Sequence, residues 1–104
     1  MKIKDLRDPL ARIVDVFSIY WFEDEAYFLG LLKEHGGLMS YKASQVSIIN
    51  SEINFHAIFF KNGIYHWALI KETLLDNILE HDEFAYKRFL DILKAEGHVD
   101  KDFY

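Results

Sequence analysis

Cysteine is absent from this 104-residue chain, which removes disulfide scaffolds, zinc ribbons, CxxC redox pairs and thiolate nucleophiles together. A surplus of positive charge is lacking too. Twelve Lys and Arg stand against seventeen Asp and Glu, a formal net charge of -5 with the histidines neutral. That balance argues against a protein whose main work is neutralising phosphate backbones, so nucleic acid is not an expected partner. No apolar run reaches the ~20 residues of a membrane span. The mostly apolar stretch from Ile13 to Phe22 does follow Lys2, Lys4, Arg7 and Arg12. However, Asp5 and Asp8 dilute the basic stretch, Asp15 interrupts the run, and Glu23-Asp24-Glu25 stands where a secretory signal needs small residues. The expectation is a cytoplasmic protein with no membrane partner.

Several catalytic signatures are also missing. Gly36-Gly37 is followed by Leu38-Met39 with no Lys-Ser pair, so there is no phosphate-binding loop. Ser18, Ser40, Ser44, Ser47 and Ser51 lack the flanking glycines of a nucleophile elbow. A zinc-protease pattern starting at His81 would need a second histidine at 85, where Ala85 stands. The Asp-x-Asp-x-Asp-Gly spacing of a helix–loop–helix calcium site is absent. The expectation is therefore no enzyme, with no catalytic residue, cofactor or metal ligand assigned.

What the chain does have is core material. Apolar residues make up 51% and aromatics 16%, enough for one domain over residues 1–104, with 98–104 expected as a loose tail. Asp8-Pro9 reads as a helix start, and Leu10, Ile13, Val14, Phe17 and Tyr20 follow helical spacing. A second helix is expected from Glu23-Asp24-Glu25, with Tyr27, Phe28, Leu31 and Leu32 inward and Gly36-Gly37 as its stop. Gln45 to Asn50 reads as a β-branched strand. Asn62-Gly63 between Phe55–Phe60 and Ile64–Ile70 is a hairpin signal. Thr73 and Asp82 are candidate caps for two last helices. Leu74, Leu75, Ile78 and Leu79 form the stripe of the first, and Tyr86, Phe89, Leu90 and Leu93 that of the second, which Gly97 closes. The expected fold is α+β: two N-terminal helices, a small three-stranded antiparallel sheet with an Asn-Gly hairpin, and two C-terminal helices.

A two-residue loop at Asn62-Gly63 would pair Phe60 with Tyr65 and Phe59 with His66, leaving His56 and His66 on opposite faces. They would then not converge on one metal ion. A half-buried histidine bonded to backbone is the ordinary account of each. The alternative is a small hydrolase or ligand-binding domain using His66 or His56 with Tyr65 and a nearby carboxylate.

The acidic clusters carry the leading functional expectation. Asp76, Glu80, Asp82 and Glu83 surround the junction of the last two helices, and Glu23-Asp24-Glu25 forms a second group. Acids at helix starts have an ordinary role in complementing the helix dipole and keeping a domain in solution. Their functional reading is a docking surface for a cationic protein. Tyr20-Trp21-Phe22 adds aromatics that cannot all face one core. The expected partner-binding residues are Glu80, Asp82, Glu83, Asp76, Trp21 and Glu25. The expected role is stoichiometric protein binding, as in an immunity protein or antitoxin that occludes a basic bacterial toxin. A structural subunit that pairs with its own copy through the hairpin is a further alternative.

Overall fold

Val, Ile and aromatic residues crowd 13–22, and Tyr, Phe and Leu crowd 25–32; in the computed structural model, which describes residues 1–104, both stretches are strands. The expected pair of N-terminal helices is thereby overturned. β1 is Lys2–Asp5, β2 Ile13–Phe22, β3 Glu25–Leu32, β4 Leu38–Lys42 and β5 Val46–Asn50. The helical spacing has a physical origin. The β2–β3 register shifts between Val16 and Ser18, a bulge at Phe17, and one extra residue breaks the period of two. Apolar residues at 13, 14, 17 and 20 then imitate a helical stripe. β3 is buried on both faces, so its apolar run is nearly continuous and carries no alternation. Gly30 lies opposite Val16 by the bulge. A Cβ there would meet the Asp15 carbonyl at 2.9 Å and collide with the Val14 side chain.

The acidic residues expected at the start of a second helix instead turn the chain. Glu23 and Asp24 both adopt positive φ, +49° and +64°, between β2 and β3, the conformation a tight hairpin loop requires. Asp8 does bond backbone N–H groups as a cap would, at Leu10 (3.0 Å) and Arg12 (3.2 Å). These bonds organise the loop between β1 and β2, and no helix follows.

These five strands run in the order β4-β3-β2-β1-β5, all antiparallel. The two outermost strands are joined by one 3-10 turn, Ala43–Gln45. So short a link between opposite edges forces the sheet to curl into a half-closed barrel. Its interior draws on every strand. Ile3, Val14, Val16, Phe28 and Tyr41 form one buried cluster, with Ile19, Leu32, Ala43 and Val46 packed against it.

β2 is also where the sheet forks. Its edge pairs with β1 at Ile13–Asp15 and then with β7 at Ser18–Tyr20. β6 (Ala57–Phe60) and β7 (Gly63–His66) form the expected hairpin. The expectation that it belongs to a three-stranded sheet fails, because β5 pairs with β1 and the hairpin with β2, in a sheet of seven strands. The register also differs by two: Phe60 opposes Gly63, and Ile58 opposes Tyr65. Positive φ falls on Lys61 and not on Gly63. Glycine is needed at 63 for close approach, since a Cβ would sit 2.8 Å from the Tyr20 Cα.

β7 ends at His66, and residues 67–70, expected in a strand, open helix α1 (Trp67–Lys71). α2 (Leu75–Leu79) and α3 (Glu83–Ala95) lie where the sequence placed two helices, but Thr73 does not cap α2: the N-cap position falls on Leu74, and the Thr73 hydroxyl donates to the Glu72 carbonyl at 2.7 Å. Asp82 caps α3 by accepting the N–H groups of Phe84 (2.9 Å) and Ala85 (3.2 Å). The main core joins these helices to the sheet: Phe89, Leu90 and Leu93 of α3 pack with Phe17, Leu29, Leu31, Leu69 and Ile78. At ~1.5–3 kcal/mol per large buried side chain, this cluster dominates the stability. No helix is long and apolar enough to cross a membrane.

Residues 98–104, expected as a tail, lie against the rest of the chain. Phe103 is only 5% exposed, and the Glu34 N–H donates to the Tyr104 carbonyl at 2.7 Å.

Candidate functional site

Two polar groupings stand out, one around the buried His66 and one exterior. The first begins at the C-terminus of α3, where the Glu96 side chain remains 30% exposed. Gly97 adopts φ +77°. The His98 N–H reaches back to the Leu93 carbonyl (2.9 Å) and the Gly97 N–H to the Lys94 carbonyl (3.1 Å), the paired bonds that close a helix on glycine. This return brings Glu96 and His98 to the start of α1. His66 Nε2 lies 2.6 Å from Glu96 Oε1, and the Trp67 indole N–H donates to Glu96 Oε2 at 2.7 Å. His98 Nε2 lies 3.4 Å from Glu96 Oε1.

The protons on His66 follow from its partners. Its Nδ1 accepts the Ala68 N–H at 3.1 Å, which caps α1. Nδ1 therefore keeps its lone pair, and Nε2 carries the hydrogen donated to Glu96. His66 is fully buried, ringed by Phe17, Phe55 and Phe89 at centroid distances of 5.3–6.0 Å. Burial pushes its pKa down, and the neighbouring carboxylate only partly opposes this. Burial alone would raise Glu96, but the Trp67 and His66 hydrogen bonds outweigh it and hold the carboxyl below its ordinary value.

His66, Glu96 and His98 do present ligand atoms within 4.8 Å of one another. An ion would need the His66 Nε2 lone pair. The proton would then have to move to Nδ1, facing the Ala68 N–H with a second hydrogen, so the set fits a hydrogen-bonded clasp better than a metal. The same engagement leaves His66 no free nitrogen to act as a base. His56 is exposed, and its carbonyl accepts the Trp67 N–H. The histidine that meets His66 is His98, at 6.0 Å between ring centroids, which the sequence reading left in the tail.

The exterior grouping is at the α2–α3 junction. Asp76, Glu80 and Glu83 are exposed, and none takes part in an ion pair. Asp82 is held by its cap. Beside them stands Phe84, 87% exposed, the most exposed large apolar side chain of the molecule, with Leu79 also exposed at the end of α2. Phe84 was not singled out by the sequence. It lies nine positions before Leu93 on α3, about half a turn from the buried stripe at ~100° per residue, and that offset is the signal that finds it.

Trp21 and Glu25 belong to a separate place, flanking the β2–β3 turn. Trp21 is 51% exposed, and its N–H donates to the Asn62 carbonyl at 2.9 Å. Glu25 is half-buried and accepts from the Ser44 hydroxyl at 3.1 Å, so its carboxylate is already engaged. No hydrogen bond or ion pair links this pair of residues to the α2–α3 group. Comparisons with known proteins find no family model, no curated protein and no solved structure that matches this chain.

Proposed function

We propose that this chain works by stoichiometric binding of a cationic protein, and that within this class it is an immunity protein or antitoxin acting in the cytoplasm. The observation that carries the reading is Phe84, 87% exposed in a stretch that also holds the unpaired carboxylates of Glu80 and Glu83. Burying an aromatic ring on association supplies affinity, and a rim of carboxylates supplies steering and discrimination. Phe84 is the anchor that enters an apolar socket of the partner. Asp76, Glu80 and Glu83 meet its lysines and arginines, and Asp82 holds the first turn of α3 in place. A surface of this sign can fill a site that normally receives phosphate groups, as in a basic nuclease. None of these residues makes or breaks a bond.

The test starts with the full chain as bait in a lysate of the source organism, followed by titration calorimetry on the captured protein. A basic protein bound one-to-one, with affinity that falls as salt rises, is the expected result. The Glu80→Lys, Glu83→Lys double variant should weaken binding and flatten the salt dependence. Unchanged affinity and salt slope in that variant overturn the reading.

A further inference from the structure

β6 is hydrogen-bonded on one side only, to β7. Its two-residue loop makes Phe60 and Gly63 a mutually bonded pair, and antiparallel alternation extends that bonding to Ile58 and to His56. The Trp67 N–H donating to the His56 carbonyl keeps the same phase. The N–H and C=O groups of Ala57 and Phe59 consequently point away from the sheet, with no strand beyond them. Edge strands are ordinarily blunted by an inserted charge, a proline or a bulge. Ala57-Ile58-Phe59-Phe60 has none of these, and Phe59 is 75% exposed. At the turn end of the hairpin, on the face of Phe60 and Tyr65, lies a cleft of about 380 Å³ whose apolar walls include Leu69, Ile70 and Leu75. Asp76 and Lys61 also line it, and Lys61 is drawn over the Phe60 ring, 5.2 Å from its centre.

We propose that β6 takes up an extended segment of the cationic partner as an added strand, with one apolar side chain in the cleft and a basic side chain on Asp76. Main-chain hydrogen bonds to Ala57 and Phe59 hold the segment, and the cleft and Asp76 select its side chains. The charges choose this occupant over a second copy of the chain. Each copy carries a net charge of -5, and neither Asp76 nor Glu80 is held in an ion pair. The proposal rests on the reading of a cationic partner given above.

The probe is a blocked peptide, Thr-Lys-Thr-Val-Thr-Lys-Thr, whose valine and two lysines fall on one face of an extended strand, with its glutamate counterpart as control, added to the isotope-labelled full chain and followed by amide NMR. The lysine peptide is expected to shift the Ala57 and Phe59 amides saturably and slow their hydrogen exchange, and the glutamate peptide to do neither. Ala57→Pro removes one outward N–H without touching the β6–β7 ladder, and should weaken the lysine peptide by about tenfold. Should Ala57→Pro fail to fold, exchange at Ala57 and Phe59 in the unaltered chain decides alone. Shifts confined to α2 and α3, or no binding, overturn strand addition, while the calorimetric test on Glu80 and Glu83 judges the docking reading separately. Sedimentation showing a dimer that Ala57→Pro dissolves makes a second copy the occupant, and also overturns the proposal.

Discussion

The clasp around His66 and the exterior acidic edge are both built from carboxylates beside helices, and they differ in what those carboxylates already have. Glu96 receives the Trp67 indole and the His66 imidazole, and its partner histidine is fully buried. Asp76, Glu80 and Glu83 receive no ion-pair partner within the chain. A polar group whose bonding capacity is met inside the molecule serves the fold. An array left unpaired on the surface, next to an exposed Phe84, is open to another molecule. The same residue type thus has opposite roles, set by its neighbours.

The sharpest way to break that contrast is Glu96→Leu. It leaves the His66 and Trp67 N–H groups without their acceptor, and should cost about 2–3 kcal/mol of stability. Urea unfolding should show a lower midpoint with an unchanged slope. A loss below about 0.5 kcal/mol would put Glu96 in the same class as the surface acids.

Acid is the next lever. The pKa of His66 is lower in the folded chain than in the unfolded one, so below about pH 6.5 the unfolded chain takes up the proton first. Stability is fully present above that value and is lost as pH falls through the folded pKa. Glu96, also lowered, adds a loss of the same sign at more acid pH. His66→Asn keeps an acceptor for the Ala68 N–H and should flatten the profile just below pH 6.5. A profile as steep in that variant assigns the loss to other groups.

Asp82→Ala removes the cap of α3 and should cost about 1 kcal/mol, visible as a lower thermal midpoint. This places Asp82 with the clasp as a structural acid, despite its position beside Glu83. The smallest effect belongs to the exterior. Phe84→Ser and Glu80→Lys should each leave stability within about 0.5 kcal/mol of the parent while partner affinity falls. A clear loss of stability in either would show that this edge is holding the fold together.

The legible parts of the sequence were the locally determined ones. Asp82 and Gly97 mark the two ends of α3 because capping involves only neighbouring residues, and its stripe of Phe89, Leu90 and Leu93 faces the core as spacing requires. The Asn62-Gly63 hairpin was visible for the same reason, although its glycine answers to Tyr20 across the fork and not to the turn. β2 and β3 were misread because burial on two faces erases alternation and the Phe17 bulge shifts the phase. His98 was out of reach, since a helix-closing turn carries it back to a residue more than thirty positions earlier, as the 6.0 Å ring separation from His66 shows. Of the expected binding residues, Asp76, Glu80 and Glu83 are placed as free surface charges. Glu25 and Asp82 turn out to be engaged within the chain.

The forked strand β2 has a consequence for how the molecule comes apart. Val14 and Val16 belong to the barrel interior and Phe17 to the helix-covered core, so adjacent residues of one strand anchor two separate apolar clusters. Neither cluster can keep its packing once β2 leaves. Two cores that share a backbone in this way melt together, as one cooperative unit. Hydrogen exchange at the paired amides of Val14, Val16 and Ser18 is expected to follow global unfolding.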